Sequence, residues 1–143
     1  MATDEEARQI FFRATQLRSG EEYRRAGRLI RLMDPQELGH VTPKNDVYGA
    51  ARLQIGTWDQ IARSAQALSS DQLKEFFRGQ PVGHMWRRLQ YAAAKIRNDI
   101  LKDPNYGLAF QDLNRRYAEW LNSPDGSRFN TGDDPGGGVA MFC

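Results

Sequence analysis

Hydrophobic residues recur along most of the chain at steps of three and four, the spacing that places side chains on one face of an α-helix. The first such series is Ala7, Ile10, Phe11, Ala14 and Leu17. Thr3 and Glu6 precede it with the spacing of a capping box, in which each side chain bonds to the other residue's backbone N–H. The pattern therefore predicts a first helix that begins near Thr3.

Similar signals delimit the next helices. Ser19 and Glu22 predict a second capped helix, which ends at Asp34-Pro35. A third helix begins there and is limited by Gly39 to about one turn. We therefore expect a short connector before the middle of the chain.

The middle of the chain carries two more helices. Thr42-Pro43 predicts the start of one, with a break or kink at Gly56. Ser69 and Gln72 form a further capping box, and the helix that they begin closes at Gly79. The region 57–77 superficially resembles a helix-turn-helix, but acidic residues on its second helix disfavour binding to DNA.

The longest apolar stripe runs from Pro81 to Lys102, and we expect this segment to be the central helix. A last helix is predicted from Gly107 to Asn122. Trp58, Trp86 and Trp120 each fall on an apolar stripe and are predicted core residues. No segment alternates as a strand does, so residues 1–122 are expected to form an all-α, compact bundle of about five to six helices.

Residues 123–143 have a different composition, with two prolines, five glycines and no periodicity. We expect a flexible Gly-rich C-terminal tail. After three consecutive glycines the tail ends in an apolar tip that includes Val139, Met141 and Phe142. This tip is predicted to bind a groove on a partner or a neighbouring subunit.

Composition narrows the class of protein. The 143 residues are 40% hydrophobic and 27% charged, which fits one packed domain and excludes an intrinsically disordered chain. Apolar runs are too short to span a bilayer, and the N-terminal residues lack the features of a secretory signal. A single cysteine, Cys143, allows no intramolecular disulfide. The expected location is cytoplasmic or in a virion.

The net charge is only +2, yet arginines outnumber lysines by 16 to 4. Six of them fall within the nineteen residues 13–31, across the first two predicted helices: Arg13, Arg18, Arg24, Arg25, Arg28 and Arg31. Arg24, Arg28 and Arg31 share a helix face, and with Arg25 they are the predicted partner-binding residues. Such a face suits a solvated surface, a protein contact or a nucleic-acid contact, in that order.

Candidate catalytic chemistry is sparse. His40 and His84 have no nucleophile or acid beside them in a recognisable catalytic pattern. Glu37 and His40 match one unit of a di-iron motif that requires two such units and further glutamates. The sequence contains no phosphate-binding glycine loop. We expect no catalytic residue, no metal ion and no cofactor.

These observations favour a non-enzymatic protein-interaction module. It would serve as a small adaptor, an assembly subunit or an inhibitor of a protein partner, with the tail as a second contact. Small, arginine-rich helical proteins of this kind are common among phage and mobile-element products. The alternative is a nucleic-acid-binding protein that uses the arginine-rich helix face.

Overall fold

The computed structural model describes residues 1–128, and within that range the chain folds into α-helices with no strand. In chain order the seven α-helices of this part are α1 (Asp4–Ser19), α2 (Glu21–Ile30), α3 (Pro35–Leu38), α4 (Asp46–Ala65), α5 (Ser70–Gly79), α6 (Val82–Lys95) and α7 (Leu108–Leu121). The predicted all-α bundle is confirmed. The number of helices is slightly higher than expected because the one-turn connector is itself a helix.

Capping boxes begin three of the helices, and those at Thr3 and Ser69 were predicted as such. At α1 the backbone N–H of Glu6 donates to Thr3 Oγ1 at 3.1 Å, and the N–H of Thr3 donates to Glu6 Oε1 at 2.9 Å. Equivalent pairs begin α3 at Asp34 and α5 at Ser69. Each box satisfies two backbone donors that the first turn of a helix leaves unpaired.

The predicted box at Ser19 does not form. Ser19 is the last residue of α1, and its hydroxyl donates to the carbonyl of Thr15 at 2.7 Å. Gly20 precedes α2 and supplies no side-chain cap. The hydroxyl bonds within the preceding helix because α1 continues to Ser19, where a serine side chain reaches the carbonyl four residues earlier.

The fourth helix differs from its predicted form at two places. Its N-cap is Asn45, whose Oδ1 accepts the N–H of Val47 at 2.9 Å, so the helix begins after Thr42-Pro43. It continues through Gly56 without a break. An interior glycine costs roughly 1 kcal/mol, and burial of Trp58 on the same helix offsets that cost.

The central helix is α4, and the prediction that the segment from Pro81 to Lys102 would be central is wrong. Nine residues of α4 are buried, and the helix packs against α1, α2, α6 and α7. The predicted long helix is α6, which passes into one π-helical turn, Ile96–Ile100, before the chain reverses. Lys102 takes a positive φ of 50° just beyond that turn.

Aromatic side chains fill the core around α4 and α7. Trp58 stacks on Phe110 with ring centroids 5.5 Å apart, and Trp86 meets the same Phe110 edge-on at 5.0 Å. A second cluster joins Phe77 to Trp120 at 5.6 Å. Trp58 and Trp120 are buried and Trp86 is half-buried, in agreement with their predicted core positions.

The first residues after α7 fold back on the bundle. Ser123 donates to the carbonyl of Trp120, and the N–H of Gly126 donates to Ser123 Oγ at 3.2 Å. Asp125 pairs with Lys74 of α5 at 3.0 Å. A 3₁₀ turn follows at Gly126–Arg128. No helix in residues 1–128 is both long and apolar enough to cross a membrane.

Candidate functional site

A cleft of about 520 Å³ opens between the end of α1, the length of α2 and the start of α6, with α4 behind it. Its lining includes five arginines and no acidic residue: Arg18, Arg24, Arg28, Arg31 and Arg88. The volume falls in the range of small-ligand sites. This concentration of one charge sign is notable in a chain whose net charge is only +2.

Arg24, Arg28 and Arg31 form the outer rim of the cleft. Their spacing of four and three residues places them on one side of α2, and all three are exposed. Arg28 lies 3.3 Å from Glu21. Arg24 and Arg31 form no ion pair with any carboxylate of residues 1–128, so their charges are available to an anion from outside the bundle.

Arg18 is held deeper in the cleft by neutral groups. Its guanidinium donates to Gln80 Oε1 and lies over the ring of Trp58, 5.6 Å from the ring centroid. Gln80 is itself buried and donates to Thr15 Oγ1 at 3.3 Å. Arg18 is thereby fixed in position by uncharged groups, which lowers the entropy cost of binding an anion.

Arg88 enters the cleft from α6 and serves partly as a structural group. Its Nη1 donates to the carbonyl of Arg31 at 3.0 Å and to that of Ile30 at 3.4 Å. These carbonyls lie at the C-terminal end of α2, where a positive charge is favourable. Arg88 therefore ties α6 to α2 and adds positive charge to the inner cleft.

The inner wall is largely apolar. Ile30, Pro81 and Met85 line it and are buried. Gln54 of α4 also lines the cleft and is only 3% exposed; its Nε2 donates to the carbonyl of Tyr23 at 3.4 Å. Its Oε1 has no hydrogen-bond partner in the described part of the chain. The cleft thus combines cationic, apolar and hydrogen-bonding groups.

Glycine at position 27 helps to keep the cleft open. A Cβ at Gly27 would lie 3.0 Å from Gln54 Nε2, tighter than ordinary contact. Because α2 and α4 approach closely at this point, any larger residue would displace the amide of Gln54. The absence of a side chain here also leaves space between Arg24 and Arg28.

The structure brings together three of the four predicted arginines. Arg24, Arg28 and Arg31 line the cleft, whereas Arg25 lies outside its lining and is 3.8 Å from Glu21. The sequence analysis did not place Arg18 and Arg88 at this site. The predicted tail contacts Val139, Met141 and Phe142 lie outside residues 1–128, the part that the structure describes.

Glu37, His40 and His84, the other residues considered for catalysis or metal binding, lie outside the cleft lining. Glu37 completes the capping box at Asp34, which accounts for its position three residues before His40. His40 is exposed, whereas His84 is half-buried and its Nε2 has no hydrogen-bond partner among the described residues. Burial lowers the pKa of His84, as do the positive charges of Arg88 and, less strongly, Arg87. Residues 1–128 contain no group of three or more side chains arranged to hold a metal ion.

Comparisons with protein-family models, curated proteins and solved structures found no match to this chain. The protein is therefore defined by its own fold and site, as an all-α bundle with an arginine-lined cleft.

Proposed function

We propose that the protein is a non-enzymatic interaction module that binds an acidic segment of a protein partner in the arginine-lined cleft. The observation that carries the proposal is the cleft lining, which has five arginines and no carboxylate. Arginine is the side chain best suited to pair with carboxylates, because its planar fork makes two parallel hydrogen bonds. The acceptor would be an Asp or Glu side chain.

The apolar inner wall favours a peptide over a nucleic acid. Ile30, Pro81 and Met85 would be covered by a Leu or Phe that neighbours the acidic residue in a partner segment. A sugar-phosphate backbone offers no comparable apolar group. The preferred ligand is therefore a short segment in which acidic and large apolar side chains alternate or adjoin.

Such a module would act as an adaptor, an assembly subunit or an inhibitor. Its partner is another protein or a second copy of this chain, in the cytoplasm or in a virion. Val139, Met141 and Phe142 would provide a second contact. When the cleft is bound, the tethered tail meets the same partner at a high effective concentration, so two weak contacts together give a higher affinity than either one alone.

Fluorescence anisotropy would test the proposal. The probe is a short labelled peptide with two acidic residues on either side of a Leu-Phe pair, compared with its Asn/Gln counterpart. We expect the acidic peptide to bind more tightly and its affinity to fall as salt is raised. The double substitution Arg24→Gln, Arg31→Gln should weaken binding about tenfold or more, since each charged hydrogen bond contributes roughly 1.5–3 kcal/mol.

A matched control removes the same charge elsewhere. Arg25→Gln combined with Arg8→Gln changes two exposed arginines that do not line the cleft. This variant should bind the peptide within about twofold of wild type, since exposed charges act weakly at a distance. Equal losses in both variants, or no preference for the acidic peptide, would overturn the proposal.

A second candidate function is nucleic-acid binding. The observation in its favour is that Arg24, Arg25, Arg28 and Arg31 are all exposed along α2. A single-stranded oligodeoxynucleotide with the same label tests it. Tighter binding of the oligonucleotide than of the acidic peptide, with losses in the Arg25 variant as large as in the Arg24 and Arg31 variant, would favour this candidate.

A further inference from the structure

The chain beyond residue 128 carries charge of the opposite sign to that of the cleft. Residues 129–143 contain Asp133 and Asp134 and no lysine or arginine. The same stretch carries the apolar residues Val139, Met141 and Phe142. The cleft offers positive charge beside an apolar wall, and the segment offers negative charge beside apolar side chains. The two are therefore chemically complementary.

The residues that precede this segment contact α5 and α7. Ser123 donates to the carbonyl of Trp120, and Arg78 lies over the Trp120 ring, 5.6 Å from its centroid. Arg78 is followed three residues later by Pro81, which lines the cleft. An extended chain covers about 3.3 Å per residue, so the five residues after position 128 span up to roughly 17 Å. The fourteen residues 129–142 span up to roughly 46 Å, about three times the radius of gyration of ~14 Å expected for a bundle of this size, so the segment is long enough to reach the cleft.

We propose that residues 133–142 occupy the arginine-lined cleft of their own chain. Asp133 and Asp134 would pair with Arg24 and Arg31, the rim arginines that form no ion pair within residues 1–128. Phe142 would then cover the apolar inner wall. The three glycines at 136–138 let the segment turn between these two contacts.

Occupation by the same chain is favoured over occupation by a second copy. A short tether holds its own end at millimolar effective concentration, which exceeds the concentration of other molecules in most solutions. The segment acts as a built-in competitor for the cleft, and an external ligand that displaces it would free Val139, Met141 and Phe142 for the second contact with the partner. This regulatory consequence rests on the proposed function, because it requires an external acidic ligand that uses the same arginines.

Competition gives a measurable effect on binding. The apparent affinity for an external ligand falls in proportion to the fraction of molecules whose cleft is open. Asp133→Asn combined with Asp134→Asn weakens the internal ligand without touching the helical bundle. We expect this variant to bind the acidic Leu-Phe peptide about two- to tenfold more tightly than wild type.

The contact itself can be detected without any external ligand. Cys143 is the only cysteine, so a nitroxide spin label attaches there in the otherwise native full-length chain. We expect the label to broaden the amide resonances of cleft residues such as Gly27 and Met85 in dilute ¹⁵N-labelled protein. The broadening should diminish in the Asp133→Asn, Asp134→Asn variant and at high salt.

A mixed sample distinguishes the two sources of the segment. Spin-labelled chains without ¹⁵N are combined with ¹⁵N-labelled chains that carry no spin label. Broadening of cleft resonances in this mixture would assign the contact to a second copy and overturn the proposal. No localised broadening, or broadening that persists in the Asp-to-Asn variant, would also overturn it.

The two proposals fail in different ways. Arginine-dependent binding of the acidic peptide, with equal affinity in wild type and in the Asp133→Asn, Asp134→Asn variant, supports the proposed function and overturns occupation by the tail. Localised broadening without peptide binding in either protein supports occupation and overturns the proposed function.

Discussion

Asp59 of α4 accepts a hydrogen bond from the backbone N–H of Phe110, the third residue of α7, at 3.2 Å. Gly107 precedes α7 and offers no side-chain cap, so the first turn of α7 depends on a carboxylate from another helix. The second oxygen of Asp59 pairs with Arg63 at 2.7 Å. One side chain thereby joins the central helix to the start of the last.

Asp59→Ala should lower the free energy of unfolding by about 1–2 kcal/mol, since a capping acceptor is lost and a buried N–H is left unpaired. Urea denaturation measures the loss. Asp112→Ala, on α7 but in an exposed ion pair with Arg115, should change stability by no more than about 0.5 kcal/mol. Equal effects of the two substitutions would contradict the role assigned to Asp59.

Two glycines should respond in opposite ways to replacement by alanine. Gly107 has a φ of +71°, which strains any residue with a Cβ, so Gly107→Ala should destabilise the fold by about 1–2 kcal/mol. Gly56 lies in the interior of α4 with open space around its Cβ position, so Gly56→Ala should stabilise it by about 0.5–1 kcal/mol. Thermal unfolding of the pair checks both signs, and a shift in the same direction would refute the conformational argument.

His84 should make the protein less stable in mild acid. Its pKa is lowered from 6.5, mainly by burial, so the folded chain binds this proton less readily than the unfolded chain. The stability that neutral His84 contributes to the free energy of unfolding is fully present above about pH 6.5, and it is lost as the pH falls through the lowered pKa of the folded state. Urea unfolding between pH 5 and pH 8 should show this slope.

Substitutions assign the pH slope to one residue. His84→Gln should flatten it whatever its effect on stability at neutral pH. His40→Gln, at an exposed position, should keep the wild-type slope because His84 is still present. An unchanged slope in the His84 variant would show that other groups cause the pH dependence.

Gly126→Ala should release the segment that follows α7. A Cβ at Gly126 would overlap the carbonyl oxygen of Trp120, so the backbone would have to move apart. Limited proteolysis should then cut near residues 123–128 faster, while global unfolding changes by less than about 1 kcal/mol. Gly79→Ala, where nothing lies within 4 Å of the Cβ position, is the control and should leave the cutting rate unchanged.

Local sequence signals predicted most helix boundaries. The boxes at Thr3, Asp34 and Ser69 depend on side chains three residues away, so the local sequence indicates them. The same pattern at Ser19 and Glu22 forms no box because α1 continues to Ser19, which only the neighbouring structure decides. The break expected at Gly56 did not occur because burial of the surrounding α4 residues outweighs the local preference of glycine. That burial comes from other helices and leaves no local signal.

The candidate site was predictable only where one helix supplies it. Arg24, Arg28 and Arg31 follow from the periodicity of α2. Arg18 and Arg88 join them because α1 and α6 pack beside α2, an arrangement that no spacing within a helix encodes. Arg25 adjoins Arg24 in sequence but lies outside the cleft lining, because neighbouring residues on a helix point in directions about 100° apart.

The π-helical turn at Ile96–Ile100 has a consequence for how the sequence can vary. This π-turn is the last turn of the helix, and it contains one residue more than an α-helical turn because the N–H of Leu101 donates to the carbonyl of Ile96, five residues earlier. Deleting one exposed residue of this turn, such as Asn98, should therefore restore regular α-helix while the preceding residues of α6 remain packed. Related sequences one residue shorter at this point would preserve the same bundle. An alignment gap there would then mark a π-turn replaced by an α-helical turn, and not the deletion of a loop residue.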